Sequence, residues 1–301
     1  SLQYALEEGN RDGWTESTLI VVLFAVAATS LVTFVVHELE TPHPVVDLRI
    51  FKNRTYAAST GINLMMGLAL FSGNFLFALY CGAVLHYQAL DIGKVFLYSG
   101  AFQIFLMPLV GRFGGKIDAR KMLAVGITGV AISLFMNAHL TERSGFGDLV
   151  QSMFVRSLSL AFVFIPISVV ALSDIPAPQR GNATGLFNLT RELGGSIGTA
   201  WMGLLVDRAT TRNAAYLAEN VTPYNPLTQE TIGAVRGSLG TQTYTADLVP
   251  ESILALKVKL QALVLAFQSG FLHATAVFLS CLVLLLLLKK PRTGPATPGA
   301  H

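Results

Sequence analysis

Residues 18–37 read TLIVVLFAVAATSLVTFVVH, twenty positions with no acidic or basic side chain before the closing His37. A hydrocarbon core about 30 Å thick needs roughly 20 helical residues at about 1.5 Å rise each. In lipid every backbone amide must find its partner inside the chain, and a helix does this segment by segment. A run of this length and polarity therefore reads as a transmembrane helix. Six more apolar stretches follow, over roughly 56–80, 92–111, 121–140, 149–173, 182–206 and 266–288. The expected fold class is all-α: a polytopic membrane protein with seven transmembrane helices.

Composition agrees with that solvent. Hydrophobic residues make up 52% and charged residues 13% of the 301 positions, whereas soluble domains carry about 25% charged residues. The mean hydropathy is +0.55. Cys81 and Cys281 both fall inside apolar spans and read as packing thiols rather than a disulfide. The chain opens SLQYALEEGNRDGW, polar and acidic, with no secretory leader pattern and no initiator Met. It reads as a piece of a longer protein, entered within a loop.

Lys and Arg collect in short cytoplasmic loops. With the C-terminus inside, the cytoplasmic segments hold eleven cations: Arg49, Lys52, Arg54, Arg112, Lys116, Arg120, Lys121, Arg180, Lys289, Lys290 and Arg292. The short outer segments then hold three, Arg11, Lys94 and Arg143. The opposite orientation reverses that ratio. The expected order is an extracytoplasmic segment 1–17, a first helix 18–37, a cytoplasmic linker 38–55 and a helical domain 56–288. That domain includes a long extracytoplasmic loop, 207–265. The tail 289–301, rich in Pro and Gly, is expected to be cytoplasmic and disordered. Within the long loop NVTPYNPLTQE is rich in turn formers, while the stretch from Pro250 through LALKVKLQALVLAF has helical propensity.

Charge at membrane depth is costly and normally faces a cavity or a partner. Arg156 lies in FVRSLSLAFVFIPIS, and Arg191 and Glu192 lie in GNATGLFNLTRELGGSIGTAWMG. Two readings stay open for them. They form a proton-titrating or cation-contacting site, or they tie helices together, as an Arg156–Glu192 pair or through a helix outside this chain. Neighbouring helical residues point about 100° apart, so Arg191 and Glu192 need not pair. Span 56–80 adds Asn63, Phe71 and Asn74, and span 92–111 adds Phe102 and Gln103; Asn188 lies beside the charged pair. An aromatic cavity with a few amides suits large apolar molecules, often cationic, through stacking and cation–π contact. These nine residues, Asn63, Phe71, Asn74, Phe102, Gln103, Arg156, Asn188, Arg191 and Glu192, are the candidates for substrate contact or proton coupling.

Gly181 and Gly185, and again Gly194 and Gly198, are four apart, a spacing that lets another helix backbone approach. Pro108 and Pro166 each remove a helical hydrogen bond within a span. The turn GRFGGKIDARK (111–121) places Gly111, Arg112, Lys116, Asp118, Arg120 and Lys121 between two spans. It reads either as a positive-inside anchor or as a latch in which Asp118 and the cations grip neighbouring helix ends. No phosphate-binding loop, zinc-protease motif or CxxC pair occurs, and the six histidines have no ligand spacing. Nothing points to catalysis, to a metal or to nucleic acid.

Several segments, in order, resemble the major facilitator superfamily, in particular its 14-span drug:proton antiporters of the EmrB/QacA type. LQYALEEGNRDGW before a span is similar to the loop between the family's two extra central helices. HPVVDLRIFKNRTYA is similar to the link into the C-terminal six-helix domain. GRFGGKIDARK resembles the superfamily's loop motif, FNLTRELGGSIGTA the penultimate span, and NVTPYNP the long loop of the EmrB branch. The likeness runs over residues 1–290. Two positions depart from the pattern. Gly115 stands where the motif often has its acid, with Asp118 later, and Glu192 stands where an uncharged polar residue is more usual.

The resemblance implies that 18–37 is the second extra helix and that the next six spans form the C-terminal domain. The N-terminal domain, with the main proton-carrying acids, would lie outside this chain. It implies proton-coupled export of drugs or other amphipathic molecules across the bacterial inner membrane by alternating access. The proton gradient would supply the energy, with no cofactor. It further implies a periplasmic adaptor and an outer-membrane channel as partners, with 207–265 as one contact. The alternatives are a truncated, non-transporting module that scaffolds or senses, and a membrane-embedded enzyme.

Overall fold

The computed structural model describes residues 4–5, 17–41, 48–114, 117–219, 221, 229 and 249–285. Among them there is no strand, and seven long helices carry the fold. They are α1 (Thr18–Glu40), α2 (Arg54–Ala83), α3 (Ala89–Gly114), α4 (Ala119–Asn137), α5 (Phe146–Leu172), α6 (Arg180–Glu219) and α7 (Val249–Leu285). A 3-10 turn, Leu48–Lys52, precedes α2.

Six of the seven are long and apolar enough to cross a membrane. The exception is α6, whose forty residues run on into the polar DRATTRNAAYLAE. The expected span 182–206 lies within it, but 207–219 is helix, not loop. At the other end α7 starts at Val249, with Pro250 in its first turn, so 249–265 is helix as well. The loop expected over 207–265 therefore shortens to the stretch between Glu219 and Val249, most of which lies outside the described residues, as do NVTPYNP except Val221 and the tail 289–301.

Local chemistry fixes the helix starts. Asn53 caps α2, its Oδ1 accepting from the amides of Thr55 at 2.9 Å and Tyr56 at 3.3 Å. Asp118 caps α4, accepting from the Arg120 amide at 3.0 Å. The Asp148 carboxylate accepts from the Gly145 amide at 2.9 Å where α5 begins. Helical structure continues through Pro108 and Pro166.

Helices α2 to α7 form one bundle. α2 packs on α6 and α7, α4 on α5 and α7, α6 on α7, and α3 on α5. One apolar core runs through it, with Phe77, Tyr80, Phe267, Phe271 and Phe278 fully buried. Cys81 and Cys281 are free and buried in that core. α1 stands apart: its main contact is the Leu48–Lys52 turn, and Leu19, Val22, Leu31 and Val32 on its surface are exposed. An apolar helix exposed over most of its surface is at home only in lipid or against another apolar partner.

Candidate functional site

The site is framed by a seam between α2 and α6. Tyr56 Oη donates to the Ala183 carbonyl at 2.8 Å, and Asn63 Nδ2 donates to the Phe187 carbonyl. Further along, Gly67 lies against the Arg191 carbonyl, Gly194 against that of Leu64, and Gly198 against that of Leu68. The partners ascend together along both helices, so α2 and α6 run parallel. At each of the three glycines a Cβ would overlap main-chain atoms of the other helix. Main chain cannot swing aside as a side chain can, so these positions demand glycine. Gly181 and Gly185 differ: both are exposed or partly so, with nothing within 4 Å of the Cβ each would carry. The small-residue stripe of α6 is a helix contact only in its second half.

Beside the seam, α2, α3, α5 and α6 enclose a cavity of about 460 Å³, within the usual range for small-molecule sites, about 300–1,000 Å³. Each helix contributes one face. From α2 come Leu70, Phe71 and Asn74; from α3, Phe96, Ser99, Gly100 and Gln103; from α5, Met153, Arg156, Ser157, Leu160 and Phe164; from α6, Arg191 and Glu192. Gly195 leaves room for the Phe71 ring, whose nearest atom would be 2.8 Å from a Cβ there.

Three charges meet this cavity. Arg156 is 3% exposed and donates from Nη2 to the Leu70 carbonyl at 2.9 Å; Nη1 has no hydrogen-bond partner. Arg191 holds its guanidinium carbon 5.6 Å from the centre of the Phe164 ring, a cation–π contact. Its Nη2 is 3.9 Å from Glu192 Oε1, too far for a hydrogen bond, and the Glu192 side chain is 54% exposed. An Arg156–Glu192 pair does not form among the described residues; the α5 cation instead ties itself to the α2 backbone.

Six of the nine sequence candidates thus come together: Phe71, Asn74, Gln103, Arg156, Arg191 and Glu192. Asn63 is fully buried in the seam rather than in the cavity. Phe102 is on the outer side of α3, edge-on to Phe154 at 4.8 Å between ring centres, and Asn188 is exposed on α6. The missed lining residues carried a signal. Met153, Arg156, Ser157, Leu160 and Phe164 have the three-and-four spacing of one helix face, as do Phe96, Ser99, Gly100 and Gln103. Extending a face from Arg156 and from Gln103 finds both sets. In the 111–121 turn Gly111 and Arg112 close α3, Arg120 and Lys121 open α4, and Lys116 is outside the described residues. Asp118 is occupied locally, as the α4 cap.

Residues 11–199 match the Major Facilitator Superfamily. The chain belongs to that superfamily. Multidrug export protein EmrB of Haemophilus influenzae is 29% identical over 291 residues, covering 96% of this chain and 56% of that protein. Fatty acid resistance protein FarB of Neisseria gonorrhoeae is 26% identical over 292 residues, covering 97% and 56%. Colistin resistance protein EmrB of Acinetobacter baumannii is 25% identical over 267 residues, covering 89% and 52%. The chain spans about half the length of these curated relatives. Like other members of the superfamily it is a multi-pass membrane protein, consistent with a bacterial inner membrane.

Proposed function

We propose that this chain supplies the C-terminal half of a proton-coupled exporter of amphipathic small molecules, drugs or fatty acids among them. The observation that carries the reading is the cavity on the α2–α3–α5–α6 face. It is apolar over most of its wall, and it holds charges at membrane depth that a purely structural bundle has no reason to retain. α3 stands largely unburied, with Leu97, Ile104 and Phe105 exposed. A second helical domain facing it would complete a binding site between two halves, and rocking of one half against the other would expose the site to each side in turn.

In this reading Glu192, half exposed beside Arg191, is the coupling carboxylate. No step calls for a cofactor. The relatives named for multidrug, colistin and fatty acid resistance support export as the activity. In a Gram-negative envelope an adaptor and an outer channel would continue the route, and residues 207–265, which begin on the polar end of α6, are the candidate contact.

The test is efflux by the full-length protein in a host lacking its own pumps, with and without an imposed proton gradient. Gradient-driven efflux is expected from the whole protein and none from residues 1–301 alone; transport by this chain alone would contradict the half-transporter reading. Glu192→Gln should abolish or shift the pH dependence of efflux, and an unchanged pH profile would remove Glu192 from the coupling. Deleting residues between α6 and α7 should spare transport in inner-membrane vesicles and lose whole-cell resistance. Equal loss in both would rule out docking there.

A further inference from the structure

α6 and α7 run antiparallel. A Cβ at Gly270 would be 3.7 Å from Val206, and Asn213 Nδ2 donates to the Ala262 carbonyl at 3.4 Å. Between their outer halves is a second pocket, of about 330 Å³, whose wall includes Trp201, Leu204, Arg208, Arg212, Ser269 and His273. It shares no residue with the α2–α3–α5–α6 cavity. Its depth follows from its neighbours. Tyr80, near the end of α2, and Gln268 on α7 both bond the turn that follows α4, at the Thr141 and Leu140 carbonyls. These contacts mark the level at which the bundle leaves the apolar layer on the extracytoplasmic side. Gly270 is deeper, against Leu76. Arg208 and Arg212 are therefore at that level or just beyond it. Trp201 is within the apolar layer, about 10 Å below Arg208 by the rise of seven helical residues.

Two guanidiniums and an imidazole meet this pocket, and no acid does. Arg208 and Arg212 are one turn apart on one face of α6 and both are exposed. Neither makes an ion pair or a side-chain hydrogen bond among the described residues. Asp207, adjacent in sequence, is turned about 100° from Arg208 and is not in the wall. Lys94, an outer cation on α3, is by contrast held by Asp91 at 2.8 Å. His273 Nδ1 is 2.7 Å from the Ser269 carbonyl, which can only accept, so Nε2 is the ring nitrogen left for a ligand. Trp201 stands edge-on to His273, 6.5 Å between ring centres, and is 41% exposed. An exposed Trp ring just below long cationic side chains suits a lipid-facing interface, with the ring among the upper acyl chains and the cations reaching out to the phosphates.

We propose that this pocket holds the phosphodiester head group of an anionic phospholipid of the outer leaflet, gripped by Arg208 and Arg212, with the upper acyl chains against Trp201 and Leu204. Arg–phosphate contact is charge-assisted and can be two-pronged, and Ser269 adds a hydroxyl donor. Basic pockets between membrane helices take phospholipid head groups. The vertical order of the wall favours a lipid over the acidic side chain of a protein partner. The cations stand where lipid phosphates lie, and the floor below them is apolar and open, with Leu265 and Leu272 of α7 also exposed. A polar chain docked on the arginines would leave that floor uncovered. The site goes beyond the export reading and does not depend on it.

The test uses the purified full-length protein in phosphatidylcholine vesicles in which either added phosphatidylglycerol or part of the phosphatidylcholine itself carries brominated chains. Bromine quenches a Trp ring that it touches, and the emission of Trp201 is the part lost in Trp201→Phe. Quenching of that part should show phosphatidylglycerol favoured over phosphatidylcholine by at least about fivefold, which is what one cation near a membrane surface contributes. Arg208→Gln combined with Arg212→Gln should bring the ratio to unity, and the paired Lys substitutions should keep most of the preference. Inorganic phosphate, added at constant ionic strength, should not displace the lipid. The ratio on native protein needs no Arg variant, so poor folding of the Gln pair does not block the test. A native ratio of unity overturns the proposal and leaves the arginines for an acidic side chain of a protein partner. A preference that survives loss of both arginines also overturns it, as does one abolished by inorganic phosphate, the mark of a site for free anions. None of these outcomes bears on the export reading.

Discussion

The two walls of the cavity are built by opposite means. On one side α2 and α6 meet backbone to backbone, through Gly67, Gly194 and Gly198, with Tyr56 and Asn63 bonded across the contact. On the other side α3 meets α5 through long side chains, such as the Phe102–Phe154 edge contact and the Tyr98–Phe146 contact at 6.0 Å. Both rings of the first pair are exposed, and of the second pair neither is buried. Helices in lipid gain nothing from burying apolar area against each other, so close van der Waals fit and interhelical hydrogen bonds must hold them. The α2–α6 wall has both. The α3–α5 wall has adaptable rings and few fixed bonds. A rigid wall carrying Arg191 and Glu192 thus faces a softer one carrying Gln103, with Arg156 spanning the two through its bond to Leu70.

Substitutions along α6 and α2 break this contrast most sharply. Gly198→Leu should prevent correct packing outright, because even a single Cβ there overlaps the Leu68 main chain. Inserting volume into a packed contact costs about 1–3 kcal/mol and more where backbone must move. Loss of the folded, monodisperse species on size exclusion in detergent is the expected result, and normal behaviour of this variant would mean the seam is looser than described. Asn63→Ala deletes the bond to Phe187 and should lower thermal stability by about 1 kcal/mol, in line with interhelical bonds in membrane proteins. Its expected effect on substrate affinity is nil, since Asn63 is not in the cavity. Gly185→Ala should leave the stability of the purified chain unchanged, or raise it by up to about 1 kcal/mol through helix propensity. A marked loss would show that the first half of α6 also makes a close contact.

How much of this was legible in the sequence follows the same division. The apolar runs set the solvent, the helix count and the boundaries to within a few residues, because the thickness of a bilayer is a hard constraint on length. The exceptions were α6, where helix continues past the apolar stretch into polar residues that hydropathy alone reads as loop, and α7, whose helix begins at Val249, well ahead of the span expected from 266. Charges at membrane depth, Arg156, Arg191 and Glu192, marked the cavity because such charges normally face a cavity or a partner. Amides did not sort themselves: Asn63 and Asn74 are in the same helix, yet one stitches the seam and the other lines the cavity. Glycine spacing showed that α6 makes a close contact but not where. Gly181 and Gly185 repeat the motif of Gly194 and Gly198, and only the crossing of α2 tells them apart. Which face of a helix meets which neighbour is a property of the assembled bundle.

The most direct measurement is the accessibility of a single cysteine in place of Gln103, on the soft wall of the cavity, in the full-length protein. Both cysteines of this chain are buried and should contribute little background. With a membrane-impermeant maleimide, Gln103→Cys should be labelled from either face of the membrane as the protein turns over, and an exported substrate should protect it. Labelling indifferent to substrate while export continues would contradict the claim that this cavity is part of the transport route.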